Sequence, residues 1–260
     1  MDINKTLAEE LGVQLWQTQA AVELIDEGNT IPFIARYRKE KTGSLNDEEL
    51  RKLYERLQYL RNLEEKKTQV ISSIEEQGKM TEELRAQILE AATLVVVEDL
   101  YRPYRPKRRT RATIAREKGL EPLANIIRLQ MTDKPLETEA LAFLDEEKGV
   151  TSVADALGGA ADILAEAIAD EADFRIRIRE MIMKEGILVS SARDETAKSV
   201  YENYYDYQEP LSRIAGHRIL ALNRGEKEKF LTVRVQAPEE KVLQYLKRKV
   251  ITRENPVTAP

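Results

Sequence analysis

Apolar residues recur with a helical period over most of the chain. The first periodic run covers residues 6–28 and ends at Gly28, where a helix-terminating glycine is usual. The longest run follows Asn46 and Glu49, which together form a capping-box pattern. Its apolar positions are Leu50, Leu53, Leu57, Leu60, Leu63, Val70, Ile71 and Ile74. This spacing predicts one helix of about 30 residues that ends at Gly78.

A second helix is predicted from Thr81 onward, where a hydroxyl residue precedes two glutamates. With the long helix it predicts an antiparallel hairpin that turns near Gly78. A coiled-coil dimer is the alternative, but the short heptad-like run favours packing within one chain. Residues 94–97 resemble a buried strand, yet they continue the apolar face of the preceding helix, which favours helix.

Further along, the period predicts helices around residues 120–130, 136–147, 152–170 and 171–185. Residues 187–190 suggest a short strand. After residue 200 tyrosines cluster, and residues 218–225 and 229–235 predict two strands around a glycine turn. A last helix is expected over residues 239–249.

These elements predict a mainly α fold, with a long helical hairpin and the start of a small α/β segment. We expect a helical domain over residues 1–200. Residues 201–260 then form a strand-containing segment that is completed downstream in a longer natural protein.

Composition places the chain among globular proteins, with 42% apolar and 33% charged residues. The absence of cysteine excludes disulfides, thiolate metal sites and a cysteine nucleophile, and it fits a reducing compartment. The N-terminus lacks the pattern of a signal peptide, and no apolar run approaches the roughly 20 residues that cross a bilayer. We therefore expect a cytoplasmic protein without a membrane partner.

Charge is unevenly distributed. The net charge of −5 argues against a nucleic-acid partner. However, residues 102–118 contain eight basic residues and one acid, whereas residues 132–173 contain twelve acids and two lysines. Local potential matters more than net charge to a polyanion, so a basic patch on an acidic protein is expected.

The most informative segment interleaves tyrosines and cations between prolines. Its members are Tyr101, Arg102, Tyr104, Arg105, Lys107, Arg108, Arg109 and Arg111. Guanidinium groups bind phosphate oxygens and tyrosine rings stack on unpaired bases, so the segment is a candidate contact for RNA or DNA. Two alternatives stay open: an internal clamp that pairs with the acidic helices of residues 132–173, and a protein partner.

A second basic stretch contains Arg36, Arg38 and Lys39. Phosphate contact and a solvated surface are both compatible with it.

No catalytic pattern emerges. The phosphate-binding and dinucleotide-binding glycine loops are missing, and so is a serine elbow. His217 is the only histidine, so one chain has no histidine pair for a metal. It is placed at a strand entry, as a structural hydrogen-bonding residue or a general base. We therefore expect neither an enzyme nor a cofactor, a metal or a small-molecule substrate.

Four segments resemble the Tex family of bacterial transcription accessory proteins. They are IPFIARYRKE at residues 31–40, EDLY at 98–101 with YRPKRRTR at 104–111, EKGLEPLA at 117–124 and HRILALNRGE at 217–226. The resemblance implies the N-terminal region of a longer protein, followed by an inert RNase-H-like domain, helix-hairpin-helix elements and an RNA-binding OB-fold. It also implies similarity to a eukaryotic elongation factor, and helix-turn-helix-like elements for which residues 152–190 are the candidate.

This resemblance and the basic segment together predict a non-catalytic transcription accessory protein that contacts RNA or DNA. The alternative is a helical scaffold that orders downstream domains or docks on RNA polymerase.

Overall fold

The computed structural model describes residues 2–106 and 108–253. They form two compact units, Met1–Tyr104 and Arg105–Pro260. Helices dominate both units, and the strands of the described residues form one small sheet in the second, so the mainly α prediction is confirmed. The predicted domain division at residue 200 stays a prediction.

Seven α-helices form the described part of the first unit. They are α1 (Ile3–Leu11), α2 (Leu15–Asp26), α3 (Ile31–Tyr37), α4 (Lys39–Thr42), α5 (Asp47–Glu76), α6 (Glu82–Glu90) and α7 (Leu94–Tyr101). The predicted 30-residue helix is confirmed as α5. The periodic run of residues 6–28 divides into α1 and α2, because Gly12 adopts a left-handed conformation between them.

The long helix α5 begins with the predicted capping box. The Asn46 side chain accepts from Glu49 N at 2.9 Å, and the Glu49 carboxylate accepts from Asn46 N at 2.8 Å. The leucines of its apolar face are at most 1% exposed inside this single chain. They pack among α1, α2, α3 and α7, so the prediction of packing within one chain is confirmed.

Side-chain contacts show the direction of the next two helices. Lys67 of α5 donates to the backbone of Leu89, at the end of α6, and Ser73 lies 3.0 Å from the Tyr101 hydroxyl at the end of α7. Helix α6 therefore returns along α5, as the hairpin predicted, and α7 turns again and runs in the direction of α5. Residues 94–97 are helical as predicted, but they begin a new helix capped by Thr93.

The apolar stretch after α2 is only partly buried. Residues 31–35 form the start of α3, where only Ile34 is buried and Pro32 is exposed. Its remaining apolar residues lie partly at the surface of the first unit.

Two ion pairs join the short helices of the first unit to α5. The Arg56 guanidinium donates to the Glu10 carboxylate at 2.5 and 2.7 Å, and that of Arg61 donates twice to Asp26 at 2.7 Å. These hydrogen bonds lower the pKa of both carboxyl groups below their ordinary values of 4.5 for Glu10 and 3.8 for Asp26.

We expect the first unit to lose stability as acid protonates these two carboxylates. A carboxyl group with a lowered native pKa stabilises the fold above its unfolded-state pKa, and that contribution is lost as the pH falls through the native pKa. Each pair is partly exposed, so its contribution is about 0.5 kcal/mol. Urea unfolding from about pH 7 to about pH 3 should show the gap between wild type and Glu10→Gln closing at low pH. A gap that is constant with pH would contradict this.

The described part of the second unit contains seven more α-helices and the sheet. The helices are α8 (Arg111–Glu117), α9 (Glu121–Leu129), α10 (Leu136–Leu141), α11 (Val153–Asp170), α12 (Ala172–Glu185), α13 (Gly216–Lys227) and α14 (Glu239–Val250). Strand β1 (Ile187–Ala192) lies between β2 (Asp206–Pro210) and β3 (Leu231–Gln236) and pairs antiparallel with both. The predicted strands at 187–190 and 229–235 are confirmed as β1 and β3.

Two predictions for this unit were wrong in extent or type. The helix over residues 136–147 ends at Leu141, because the chain turns and Asp145 pairs with Val150 in a β-bridge. Residues 218–225 form part of α13 instead of a strand. Gly225 lies within that helix, where a Cβ atom would come within 2.6 Å of Leu231. The glycine is needed for close contact between α13 and β3, not for a turn.

The helical core of the second unit is built on small residues. Helix α11 packs closely on α8 and α9 through alanines and glycine, with Ala115, Leu120, Ala156 and Ala160 all buried. A Cβ on Gly159 would lie 2.3 Å from Leu120 Cδ1 and 3.3 Å from Ala115 Cβ. The helix axes approach as closely as they do because position 159 lacks a side chain.

Gln130 connects the end of α9 to the end of α14. It ends α9 in a left-handed conformation, with φ 52°, and its side chain is buried. The amide nitrogen donates to the Val250 carbonyl at 2.8 Å, and the amide oxygen accepts from the backbone N of Thr252 and Arg253 at 3.0 and 3.1 Å. One side chain therefore binds three backbone groups at the end of α14.

The helix-turn-helix role suggested for residues 152–190 stays a prediction. That range contains α11, α12 and the start of β1. Among the residues that the structure describes, no helix is long and apolar enough to cross a membrane.

Candidate nucleic-acid interface

The predicted basic segment begins at the end of the first unit. Tyr101 is the last residue of α7, and its hydroxyl lies 3.0 Å from that of Ser73. Arg102 and Tyr104 belong to a single 3-10 turn, and the Tyr104 carbonyl accepts from the Gln77 side chain at 3.0 Å. Both tyrosines are half-buried, and α5 therefore holds this part of the segment in place.

The rest of the segment begins the second unit. Arg105, Arg108, Arg109 and Arg111 are all exposed there, whereas Lys107 lies outside the described residues. Arg109 donates to Glu117 at 2.8 Å, and Arg111 lies 3.4 Å from Asp162. Their side chains are nonetheless 68% and 86% exposed. Pairing of this kind leaves guanidinium N–H groups available for a phosphate.

Part of the internal clamp considered from the sequence is present. Glu166 of α11 accepts from the Thr110 hydroxyl at 2.9 Å and from Arg116 at 2.8 Å, and its side chain is only 16% exposed. These contacts fix the start of α8 against α11. The acids of α11 therefore bind the end of the segment, while Arg108 is exposed before it.

The second basic stretch lies on α3 and α4. Arg36, Lys39 and Lys41 are exposed, and none has an acidic partner within residues 2–106. Arg38 differs, because its guanidinium lies 5.0 Å from the Phe33 ring centroid and donates to the Tyr37 carbonyl at 3.1 Å. Arg38 therefore positions the stretch, while the other three cations face solvent.

Sequence reasoning missed two aromatic residues beside this stretch. Trp16 is the second residue of α2 and is 51% exposed, and Tyr37 ends α3 and is 60% exposed. An aromatic residue within a helical period is typical of a core position, so the pattern alone gave no signal. The adjacent cations at residues 36–41 were the one available hint for Tyr37.

His217 lies at the first turn of α13 and is exposed, so its predicted place at a strand entry was wrong.

Glu209, near His217, accepts a hydrogen bond from Tyr207 and, at 2.6 Å, another from Arg218. These hydrogen bonds lower the pKa of the Glu209 carboxyl. The trio joins β2 to α13. No group of three potential metal-ligating side chains was found among the described residues.

Comparison with known proteins identifies the family. Residues 1–75 match the model of the Tex-like protein N-terminal domain, and residues 131–256 match that of the Tex central region. The chain belongs to the Tex family. It is 48% identical over 233 residues to Protein tex of Bordetella pertussis, and 44% identical over 235 residues to the Transcriptional accessory protein Tex of Neisseria gonorrhoeae. The resemblance stated from the sequence is therefore confirmed.

The Tex relatives are much longer than this chain. The alignments cover 88% and 90% of the chain but only 29% and 31% of the Bordetella and Neisseria proteins. The human S1 RNA-binding domain-containing protein 1 is 33% identical over 90% of the chain and 24% of its own length. The chain thus spans about a third of the length of the curated relatives that it matches. Arg36, Arg38 and Lys39 lie in the first matched range, and the 102–111 segment lies between the two ranges.

Proposed function

We propose that this region of a Tex-family protein is a non-catalytic nucleic-acid-binding module. It contacts the phosphate backbone of RNA or DNA through the exposed cations of residues 102–111 and 36–41. The observation that carries the proposal is the exposure of Arg36, Lys39 and Lys41 without acidic partners among residues 2–106, in a chain of net charge −5. Exposed cations on an otherwise acidic protein form a local site for a polyanion.

Further support comes from the basic segment and from the relatives. Arg108, Arg109 and Arg111 keep their side chains at the surface although α11 supplies carboxylates close by. The human relative is named for RNA binding, and the Neisseria gonorrhoeae relative is named as a transcriptional accessory protein. A cytoplasmic location and the absence of a small-molecule substrate are part of the same proposal.

The second candidate is a helical scaffold that orders further domains or docks on RNA polymerase. The ion pair of Arg111 with Asp162 and the contact of Glu166 with Thr110 support it, because they connect the end of the basic segment to α11. The two candidates differ in what Arg108 and Arg109 do, since a clamp residue stabilises the fold and a binding residue does not.

Reversing the charge of Arg108 and Arg109 to glutamate is expected to weaken nucleic-acid binding at least about tenfold at low salt. The melting temperature should change little, because the Arg109–Glu117 pair is largely exposed. Fluorescence anisotropy with labelled RNA and DNA, across a salt series, measures both affinity and slope. Contact with about five phosphates gives a log–log slope of roughly −3.5 to −4.5 in the wild type.

The matched control reverses Lys134 and Lys198, two exposed lysines of the second unit outside both basic stretches. It changes the net charge equally, so an equal loss of affinity would show a general charge effect instead of a site. A drop in melting temperature with unchanged binding would support the scaffold. The double reversal of Arg36 and Lys39 tests the other stretch in the same way.

A further inference from the structure

Trp16 is held in place although half of it is exposed. Its indole lies against Gly43, where a Cβ atom would come within 2.5 Å of the Trp16 ring. The neighbouring Gln17 side chain donates to the carbonyls of Thr42 and Gly43 at 3.1 and 3.3 Å and fixes α2 to the end of α4. The ring is therefore ordered on one side, and its remaining surface is open to solvent.

Tyr37 is held in a similar way at the other end of α4. Its ring centroid lies 5.3 Å from that of Phe33, with the rings tilted by 45°. Arg38 contacts Phe33 with its guanidinium and donates to the Tyr37 carbonyl. A ring that is already ordered loses little conformational entropy when a flat ligand binds on it.

The two rings flank a short basic helix. Trp16 contacts Gly43, directly after α4, and Tyr37 lies two residues before α4 begins. This helix has four residues, which gives a length of about 6 Å at 1.5 Å per residue. It supplies Lys39 and Lys41, both exposed. Exposed aromatic faces next to cations are the combination that binds single strands, where bases stack on rings and cations neutralise phosphates.

We propose that Trp16 and Tyr37 are base-stacking residues, and that the α3–α4 surface binds single-stranded nucleic acid in preference to duplex. This inference rests on the proposed nucleic-acid function and adds its strand class. Bases in a duplex are stacked on one another, so their faces are not accessible to a protein ring. A duplex is therefore left with the phosphate contacts alone.

The sequence provides a direct probe, because Trp16 is the only tryptophan. Stacking of a base on an indole quenches its fluorescence. The full 260-residue chain is titrated with an oligothymidylate of about 12 nucleotides, within the range that small single-strand sites cover. The expected result is saturable quenching by this strand, with little quenching by an equal charge of inorganic polyphosphate or by a blunt duplex.

Two variants test the rings by anisotropy with the labelled strand. Trp16→Leu and Tyr37→Leu should each weaken binding of the single strand about fivefold or more. They should leave duplex binding within about twofold, because the phosphate contacts of the duplex are retained. The matched control is Tyr54→Leu, an exposed tyrosine on α5, which should leave both affinities unchanged.

The outcomes separate the two proposals. If the strand binds but does not quench Trp16, and both variants match Tyr54→Leu, stacking is refuted while backbone binding stands. Equal quenching by polyphosphate would also refute stacking. A chain that binds no strand and no duplex, even at low salt, overturns the nucleic-acid function itself.

Discussion

Replacing Gly159 by valine is expected to lower the free energy of unfolding of the second unit by about 3 kcal/mol. The first atom of any side chain at this position would come within 2.3 Å of Leu120, which is 1% exposed and packs in the helical core of the second unit. Ala115 on α8 lies close to the same point. The helices must therefore separate, and contacts along α8 and α9 are lost together. Urea unfolding followed by circular dichroism measures the change.

Gly158 provides a matched control one residue earlier. A Cβ on Gly158 would meet nothing within 4 Å. Gly158→Val should therefore change stability by only a few tenths of a kcal/mol, and in the stabilising direction, because valine has a higher helix propensity than glycine. Equal effects at both positions would show that the close approach of α11 to α8 and α9 does not depend on Gly159.

Replacing Lys67 by alanine is expected to cost about 3 kcal/mol of stability in the first unit. Lys67 is 1% exposed, yet its ammonium group donates to the Leu89 carbonyl at 2.8 Å and lies 2.9 Å from Glu64. The Leu89 carbonyl belongs to the last turn of α6, where carbonyl groups lack partners within the helix and favour a cation. Alanine removes this partner and leaves a cavity in place of the alkyl chain.

The neighbouring Lys66 is the control. It forms an ion pair with Glu98 at 2.7 Å, but its side chain is 30% exposed and that of Glu98 is 41% exposed. Lys66→Ala should cost less than about 1 kcal/mol. Lys67→Met restores most of the side-chain volume without the charge. Its loss of stability should lie between those of Lys67→Ala and Lys66→Ala. Thermal unfolding of all three variants measures these differences. Equal melting temperatures for Lys67→Ala and Lys66→Ala would contradict the prediction.

Much of the helical fold was predictable because its determinants are local. The capping box at Asn46 and Glu49 and the apolar period that follows predicted α5 closely. Helix α13 was not predictable in this way. Its consecutive apolar residues include the exposed Leu220 and the buried Leu222, so they do not mark one face of a helix, and Gly225 suggested a turn. The reason for that glycine is a contact with Leu231, which a local pattern does not contain.

The candidate site was predictable only in part for the same reason. The cations of residues 36–41 and 102–111 are visible in the sequence, but which of them pair with acids depends on distant residues such as Asp162. Trp16 was missed because its position is set by packing on Gly43, 27 residues later. Charge composition therefore indicates a partner class, whereas the availability of each group is a property of the fold.

The contacts of Gln130 have a consequence for the order of events during protein synthesis. Its three partners lie 120 to 123 residues downstream, so about 6 to 24 s of translation separate them from Gln130. Helices form within microseconds, so α8 and α9 have ample time to fold first. Until Arg253 leaves the ribosome, the Gln130 amide cannot form its full set of native hydrogen bonds. Its burial is therefore a late step that follows the folding of α8 and α9.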